Sequence, residues 1–266
     1  IFLLRRTKYS NIIILDGKNR SFFISLFLNG KKSILLQSKN LEFLSKIFKY
    51  KRVFNYEIQN QHKNFSFLAS NLDFNIDLKK IDIYKGYSFN NENYVEKKYI
   101  TIHLDEKWFT KYYYNDFTDI NPTAEQLDIF VKKIMEALNY EYNIIITTGS
   151  KELNVLKEYT TNFNKINEKQ FVKQINKNKI YFIKESSFNE LEAIIKNSSF
   201  LICCEGGVSH VSHNMGIKTI AFFEKNRLQH THFWTSHMEN LTLFERKNMH
   251  EISMDDNFFN IISNKI

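Results

Sequence analysis

The stretch from Phe200 to Phe223, FLICCEGGVSHVSHNMGIKTIAFF, constrains this chain more than any other. An apolar run of strand length, Phe200 to Cys204, breaks at Glu205-Gly206-Gly207 and resumes as a helix-compatible segment from Val208 to Met215. After Gly216 a second apolar run extends from Thr219 to Phe223. Strand, glycine turn, helix and strand in that order make a βαβ unit, whose parallel strands are buried on both faces. Its chemically privileged place is the carboxyl end of the first strand. Glycines there let a ligand approach the backbone, and the free N–H groups and positive dipole end of the helix favour an anion. Ser209 and His210 stand just inside that helix, and His213 and Asn214 share the His210 face at i+3 and i+4. The same spacing also fits a tight turn packed on the sheet, with satisfied histidines and no ligand.

The rest of the chain repeats the pattern. Asn11 to Leu15 is a strand ending at Asp16-Gly17, followed by a helix from about Asn19 to Leu28, a turn at Asn29-Gly30 and a strand from Ser33 to Leu36. Leu41 to Phe48 and Gln59 to Ser70 read as helices. From Asn71 to Lys98 periodicity fades into Asn, Asp, Lys and Tyr, which marks an inter-domain connection. A new domain opens with the strand Tyr99 to Leu104, leading into Asp105-Glu106-Lys107-Trp108. Thr123 with Gln126, and Ser187 with Glu190, are capping-box pairs at two helix starts. Strands at Asn143 to Thr148 and Ile180 to Ile183, with a helix near Glu152 to Tyr159, lie between them. Asp255-Asp256 caps a last amphipathic helix. Alternating strands and helices on both sides of a linker predict an α/β protein of two Rossmann-like domains, residues 1–95 and 96–266, with the site in the crevice between them.

Composition narrows the function less. At 266 residues, with 43% hydrophobic residues, the chain is long enough for two cores. Its net charge of +8 accompanies an abundance of Lys, Asn, Ile and Phe with seven glycines and one proline. The basic clusters at Arg5-Arg6, Lys31-Lys32, Lys49 to Arg52 and Lys97-Lys98 are short and separated, and no nucleic-acid-binding signature accompanies them, so no nucleic-acid partner is expected. An anionic membrane face or an acidic glycolipid is a use they allow. Cys203 and Cys204, the only cysteines, are neighbours on a strand and point to opposite faces, which makes them reduced core thiols and suits a reducing compartment. No apolar run reaches the roughly 20 residues of a membrane span, and no secretory signal opens the sequence. A cytoplasmic protein, touching the inner membrane at most peripherally, is expected. The cluster His230, His232 and His237 in an aromatic loop from Arg227 to His237 has no acidic or cysteine partner at matching spacing, so no metal is expected.

The string Cys204-Glu205-Gly206-Gly207-Val208-Ser209-His210 resembles the nucleotide-sugar motif of glycosyltransferase family 9, the ADP-heptose:lipopolysaccharide heptosyltransferases. That family reads Asp-Thr-Gly, an apolar residue, then Ser-His ahead of a small-residue helix. Gly207, Ser209 and His210 match, whereas Glu205 replaces the Asp, Gly206 the Thr, and Lys218-Thr219 stands where Pro is usual. The loss of a hydroxyl at Gly206 puts one ribose or phosphate contact in doubt. A second match is Lys107-Trp108 after a strand, where the family carries a lysine on the donor's diphosphate. An apolar strand ending in Asp and followed by Arg20-Ser21 is a third.

The resemblance implies a GT-B-type, inverting, metal-independent transferase without a cofactor, moving a heptose-like sugar from a nucleotide-diphosphate donor to a lipopolysaccharide or related glycolipid or oligosaccharide acceptor. Residues 1–95 would be its acceptor side and residues 96–266 its nucleotide-sugar side. Lys107 would stabilise the leaving diphosphate, and Lys107, Trp108, Thr148, Gly149, Glu205, Gly206, Gly207, Ser209 and His210 would line the donor. The family's general base is an Asp in a Gly-Asp loop after the first strand. Since Ile1 is not an initiator residue and Ile1 to Leu4 begin inside a periodic segment, the chain reads as lacking that strand, and the base is unassigned; Asp16 is a poor substitute. A fucosyltransferase or nucleotide-sugar epimerase of the same fold group, or a non-catalytic glycan- or nucleotide-binding module, are the alternatives.

Overall fold

The computed structural model describes residues 7–15, 18–36, 39–48, 50, 52–55, 61–71, 98–109, 122–151 and 153–265. The chain divides into two compact units, Ile1–Ile81 with His232–His237, and Asp82–Thr231 with Met238–Ile266. The expected break at residues 95/96 and the acidic end of the first strand, Asp16-Gly17, lie outside the described residues.

The first unit carries a three-stranded parallel sheet in the order β1 (Lys8–Ile14), β2 (Asn29–Leu36) and β3 (Arg52–Asn55). Helices α1 (Asn19–Leu26), α2 (Lys39–Ile47) and α3 (Gln61–Asn71) alternate with the strands or follow them. Asn29-Gly30 opens β2 and is not the expected turn. Gly30 pairs with Tyr9, and a Cβ there would come within 2.5 Å of the Tyr9 carbonyl, so the parallel ladder itself requires glycine. Phe22 is fully buried, stacked on Tyr50 at 5.0 Å.

The second unit is an eight-stranded sheet. In sequence its elements are β4 (Tyr99–Leu104), α4 (Ala124–Ala137), β5 (Asn143–Thr148), α5 (Asn154–Tyr159), β6 (Asn164–Lys165), β7 (Gln170–Ile175), β8 (Asn178–Ile183) and α6 (Phe188–Lys196). There follow β9 (Leu201–Cys204), α7 (Gly207–Asn214), β10 (Thr219–Phe223), α8 (Leu228–Thr235, of which the residues from His232 on belong to the first unit), β11 (Leu241–Glu245), α9 (Met249–Ser253) and α10 (Asp256–Lys265). The spatial order is β11-β10-β9-β4-β5-β8-β7-β6. Strands β11 to β8 are parallel, and only the β6 and β7 edge is antiparallel.

From β4 the chain builds outward in one direction through β5 and β8, then returns to lay β9 on the other side of β4 and builds away through β10 and β11. The junction between β4 and β9 is therefore the topological switch point of a doubly wound sheet, where the helices that follow neighbouring strands leave for opposite faces. Packing agrees with this. Helix α4 buries Leu127, Phe130 and Ile134 on the face that also holds Ile102, Ile202 and Cys204, whereas α7 packs Val211 with Cys203, Leu201 and Ala221 on the other. The two cysteine thiols are thus buried on opposite sides of one strand, as alternation demands.

The larger face is aromatic. Phe222 lies 5.1 Å from Trp108, 5.6 Å from Phe244 and 5.4 Å from Phe258, and Phe130 stacks on Phe258 at 5.9 Å. Both capping boxes form: Thr123 Oγ1 accepts from the Gln126 N–H at 3.2 Å, and Ser187 Oγ from the Glu190 N–H at 3.3 Å, with the Gln126 and Glu190 side chains accepting from the cap N–H groups in return. Asp255 caps α10 through the N–H groups of Asn257 and Phe258. Two expectations are corrected. The polar segment before β8 contributes the strands β6 and β7, and residues 228–235 form helix α8 where an aromatic loop was expected. Among the described residues no helix is long and apolar enough to cross a membrane.

Candidate active site

At the switch point the carboxyl ends of β4 and β9 lie side by side, with Thr101 paired to Leu201 and Ile102 to Ile202. Each strand ends in a short turn. After β4, Asp105 accepts from the Lys107 N–H at 3.1 Å and caps a one-turn 3-10 helix, Glu106–Trp108. After β9 the chain turns at Gly206 and enters α7.

Gly206 has φ +152°, a region that residues with a Cβ avoid, and a Cβ built there would meet Lys107 Nζ. Its glycine identity therefore has two independent causes, backbone conformation and the approach of a lysine. Lys107 Nζ donates to the Glu205 carbonyl at 2.5 Å, spanning the switch point and placing an ammonium over the turn that starts α7. Ser209 closes the same turn from inside the helix: its hydroxyl donates to the Gly206 carbonyl at 2.7 Å and accepts the Gly206 N–H at 3.3 Å. Gly207 is open, with nothing within 4 Å of where a Cβ would stand.

The sequence-predicted residues thus separate. Lys107, Glu205, Gly206 and Gly207 are brought together, and His210, whose ring senses Glu205, belongs to the same corner. Ser209 is fully buried and its hydroxyl serves the turn, so a ligand contact through that hydroxyl is corrected to a structural role. Trp108 is also corrected. It is fully buried in the aromatic core, and its indole N–H donates to the His103 carbonyl at 3.0 Å, which leaves no face for a ligand. Thr148 ends β5, the next strand along, and Gly149 follows it. The Thr148 hydroxyl accepts the Glu185 N–H at 3.0 Å and lines an open pocket with Lys151, Leu153, Phe182 and Lys184. A Cβ on Gly149 would stand 3.9 Å from a Glu106 carboxylate oxygen.

Ionisable groups behind the corner are tuned by burial. His103 is pushed down to about 4 by desolvation, with Glu106 opposing, and its Nδ1 pairs with the Thr147 hydroxyl at 2.9 Å. Near neutral pH it is an uncharged imidazole joining β4 to β5. Burial raises the Asp105 carboxyl to about 6, with Lys107 opposing. Burial also lowers His210, Glu205 acting the other way. A residue that sequence reading passed over is Arg246, just beyond β11. It is 3% exposed, and its guanidinium donates to the Trp108 carbonyl at 2.6 Å and the Lys107 carbonyl at 3.2 Å. Its only sequence signal is an arginine two residues after the mostly apolar run Leu241 to Phe244.

Comparison with known proteins now decides the family. The sequence model of glycosyltransferase family 9 (heptosyltransferase) matches residues 3–262. The chain belongs to glycosyltransferase family 9. It is a glycosyltransferase of the GT-B fold class. Its fold matches E. coli heptosyltransferase WaaC with ADP at a TM-score of 0.66 and 12% identity, covering 99% of this chain and 75% of WaaC. WaaC with ADP-2-deoxy-2-fluoro heptose gives 0.64 and 12%, covering 99% and 74%, and the family 9 glycosyl transferase from Veillonella parvula DSM 2008 gives 0.56 and 12%, covering 96% and 68%. A search of curated protein sequences gave no match.

Two outcomes follow for this family 9 corner. Gly206→Ala should lose about 1–3 kcal/mol in urea unfolding from the backbone strain alone, whereas Gly207→Ala, with room for its methyl, should stay within about 1 kcal/mol of the parent; equal losses would contradict the geometry. Asp105→Asn removes a carboxylate that the fold disfavours when charged. Its stabilising effect should be full above about pH 6 and shrink toward pH 3.8, where the unfolded carboxylate also takes up its proton. The same difference from the parent at pH 8 and pH 4 would show an ordinary carboxyl.

Proposed function

We propose that this family 9 glycosyltransferase moves a heptose-like sugar from a nucleotide-diphosphate donor to a lipopolysaccharide or related surface-glycan acceptor, with inversion and without a metal or other cofactor. The observation that carries the reading is the Lys107 ammonium 2.5 Å from the Glu205 carbonyl over the Gly206 turn, at the switch point of the sheet. Ligands of doubly wound sheets bind at that point, outside the carboxyl ends of the strands. Among the solved relatives, WaaC is held with ADP and with ADP-2-deoxy-2-fluoro heptose.

The chemistry follows from charge. When the bond between the sugar's anomeric carbon and the diphosphate oxygen breaks, its electron pair stays on the diphosphate, whose negative charge grows. Lys107, fixed in advance at one end, and the N-terminal N–H groups of α7 at the other, neutralise that charge without reorganising. Gly207 lets the phosphate approach the backbone. Glu205 accepts hydrogen bonds from donor hydroxyls, and His210, held neutral, donates or accepts on the same side. The nucleoside runs along the carboxyl edge toward Thr148 and Gly149. The acceptor oxygen attacks the opposite face of the anomeric carbon, and the base that takes its proton lies outside this donor-side set. The acceptor's lipid character makes a peripheral contact with the inner membrane the matching location.

Lys107→Met should slow sugar transfer on the order of 100-fold, the scale for removing one preorganised charge donor, and weaken ADP or UDP binding in calorimetry. Unchanged nucleotide affinity would remove Lys107 from the donor site.

A further inference from the structure

Arg246 lies outside the set that touches the proposed donor, yet its side chain meets the Lys107 carbonyl and Cys204, the residue just before Glu205. Its backbone is fixed by the strand edge, the Arg246 N–H donating to the Phe223 carbonyl at 2.8 Å. From there the guanidinium runs inward. It donates to the carbonyls of Lys107 and Trp108, reaches Cys204 Sγ at 3.3 Å, and lies over the Trp108 ring at 4.9 Å.

Each contact has a physical reason. Lys107 and Trp108 end a helix of one turn, whose last carbonyls have no continuing helix to donate to them. A cation at a helix C-terminus is favourable, and a planar fork of donors can serve two neighbouring carbonyls at once. Cys204 is the last residue of β9, two before Gly206. One rigid group therefore fixes the turn that carries Lys107 relative to the strand end that carries the Gly206 turn. With Asp105 holding the Lys107 N–H and the Trp108 ring locked in the core, the backbone from 105 to 108 is tied from three sides. The flexible lysine side chain then starts from a single direction, toward Glu205, and less of its rotamer freedom has to be surrendered when a donor binds.

We infer that Arg246 is the positioning residue for Lys107: its guanidinium holds the ends of β4 and β9 in the spacing that lets the ammonium reach the diphosphate of the donor. The last clause rests on the donor-site reading above; the first does not. Arg246 touches no substrate and takes no part in bond making.

The test has two arms on the full chain. In the first, hydrogen–deuterium exchange is followed without ligand in the parent, Arg246→Lys and Arg246→Gln. Segment 104–109 should exchange about tenfold faster in Arg246→Gln and less so in Arg246→Lys, while α10 and the strands of the first unit keep their protection, the mark of local opening. Unchanged exchange at 104–109, acceleration spread over the whole sheet, or failure of both variants to fold overturns the inference, because Arg246 is then dispensable or a general core residue. In the second arm ADP and UDP are titrated into the parent, Lys107→Met, Arg246→Gln and the double variant. Arg246→Gln should weaken binding about fivefold or more in the parent and by less than about twofold where Lys107 is already gone, the non-additivity of groups acting through one another. Additive losses overturn it. Should the parent bind neither nucleotide, the donor reading fails, and the first arm still decides whether Arg246 holds the Lys107 turn.

Discussion

The contact on which the rest of this structure depends is the one between the Lys107 ammonium and the Glu205 carbonyl across two adjacent strand ends. It explains why position 206 is glycine, since a side chain there would occupy the space of the ammonium. It also explains why the one-turn helix after β4 is so heavily anchored. A lysine reaching across a sheet is useful only if its backbone is still. Here a buried tryptophan beneath, an aspartate cap before and an arginine beside hold that backbone.

The sheet topology turns this local contact into a site. In a parallel sheet each strand end faces the same edge, but at the junction of β4 and β9 the following helices diverge and leave room between them. Behind that room His103 is neutral near pH 7 because burial lowers it, and the Arg246 guanidinium lies against the Lys107 turn. Asp105 adds an acidic group. Its raised carboxyl is still mostly ionised at pH 7, where it draws on the nearby cations. The corner thus sets the Lys107 ammonium beside the N-terminus of α7, the pairing expected for a diphosphate, with the side chains of Asp105, Glu106 and Glu205 around it.

Much of this was legible in sequence where the governing interaction is local. Both capping boxes join residues three apart, so composition and spacing determine them. The split of Cys203 and Cys204 between faces follows from strand alternation, and the Gly206-Gly207 break from the need to turn at a strand end. What failed depended on direction or distance. Lys107 and Trp108 are neighbours, and adjacency suggested a shared role. In a 3-10 turn of three residues each side chain departs about 120° from the last, so one points at the corner and the other into the core. Helix α8 hid because its His and aromatic string presents no single apolar face. Strands β6 and β7 hid because an edge hairpin is only half buried and lacks an apolar run. Arg246 contacts the Lys107 turn across almost 140 residues of chain, a relation no local pattern encodes.

The central claim is that an anionic donor group takes the place the Glu205 carbonyl now holds as the partner of Lys107. A crystal structure of the protein with ADP tests it most directly. The account predicts the diphosphate at the N-terminus of α7, with Lys107 Nζ turned from the Glu205 carbonyl onto a phosphate oxygen. A diphosphate bound elsewhere, with the lysine still seated on Glu205, would contradict it.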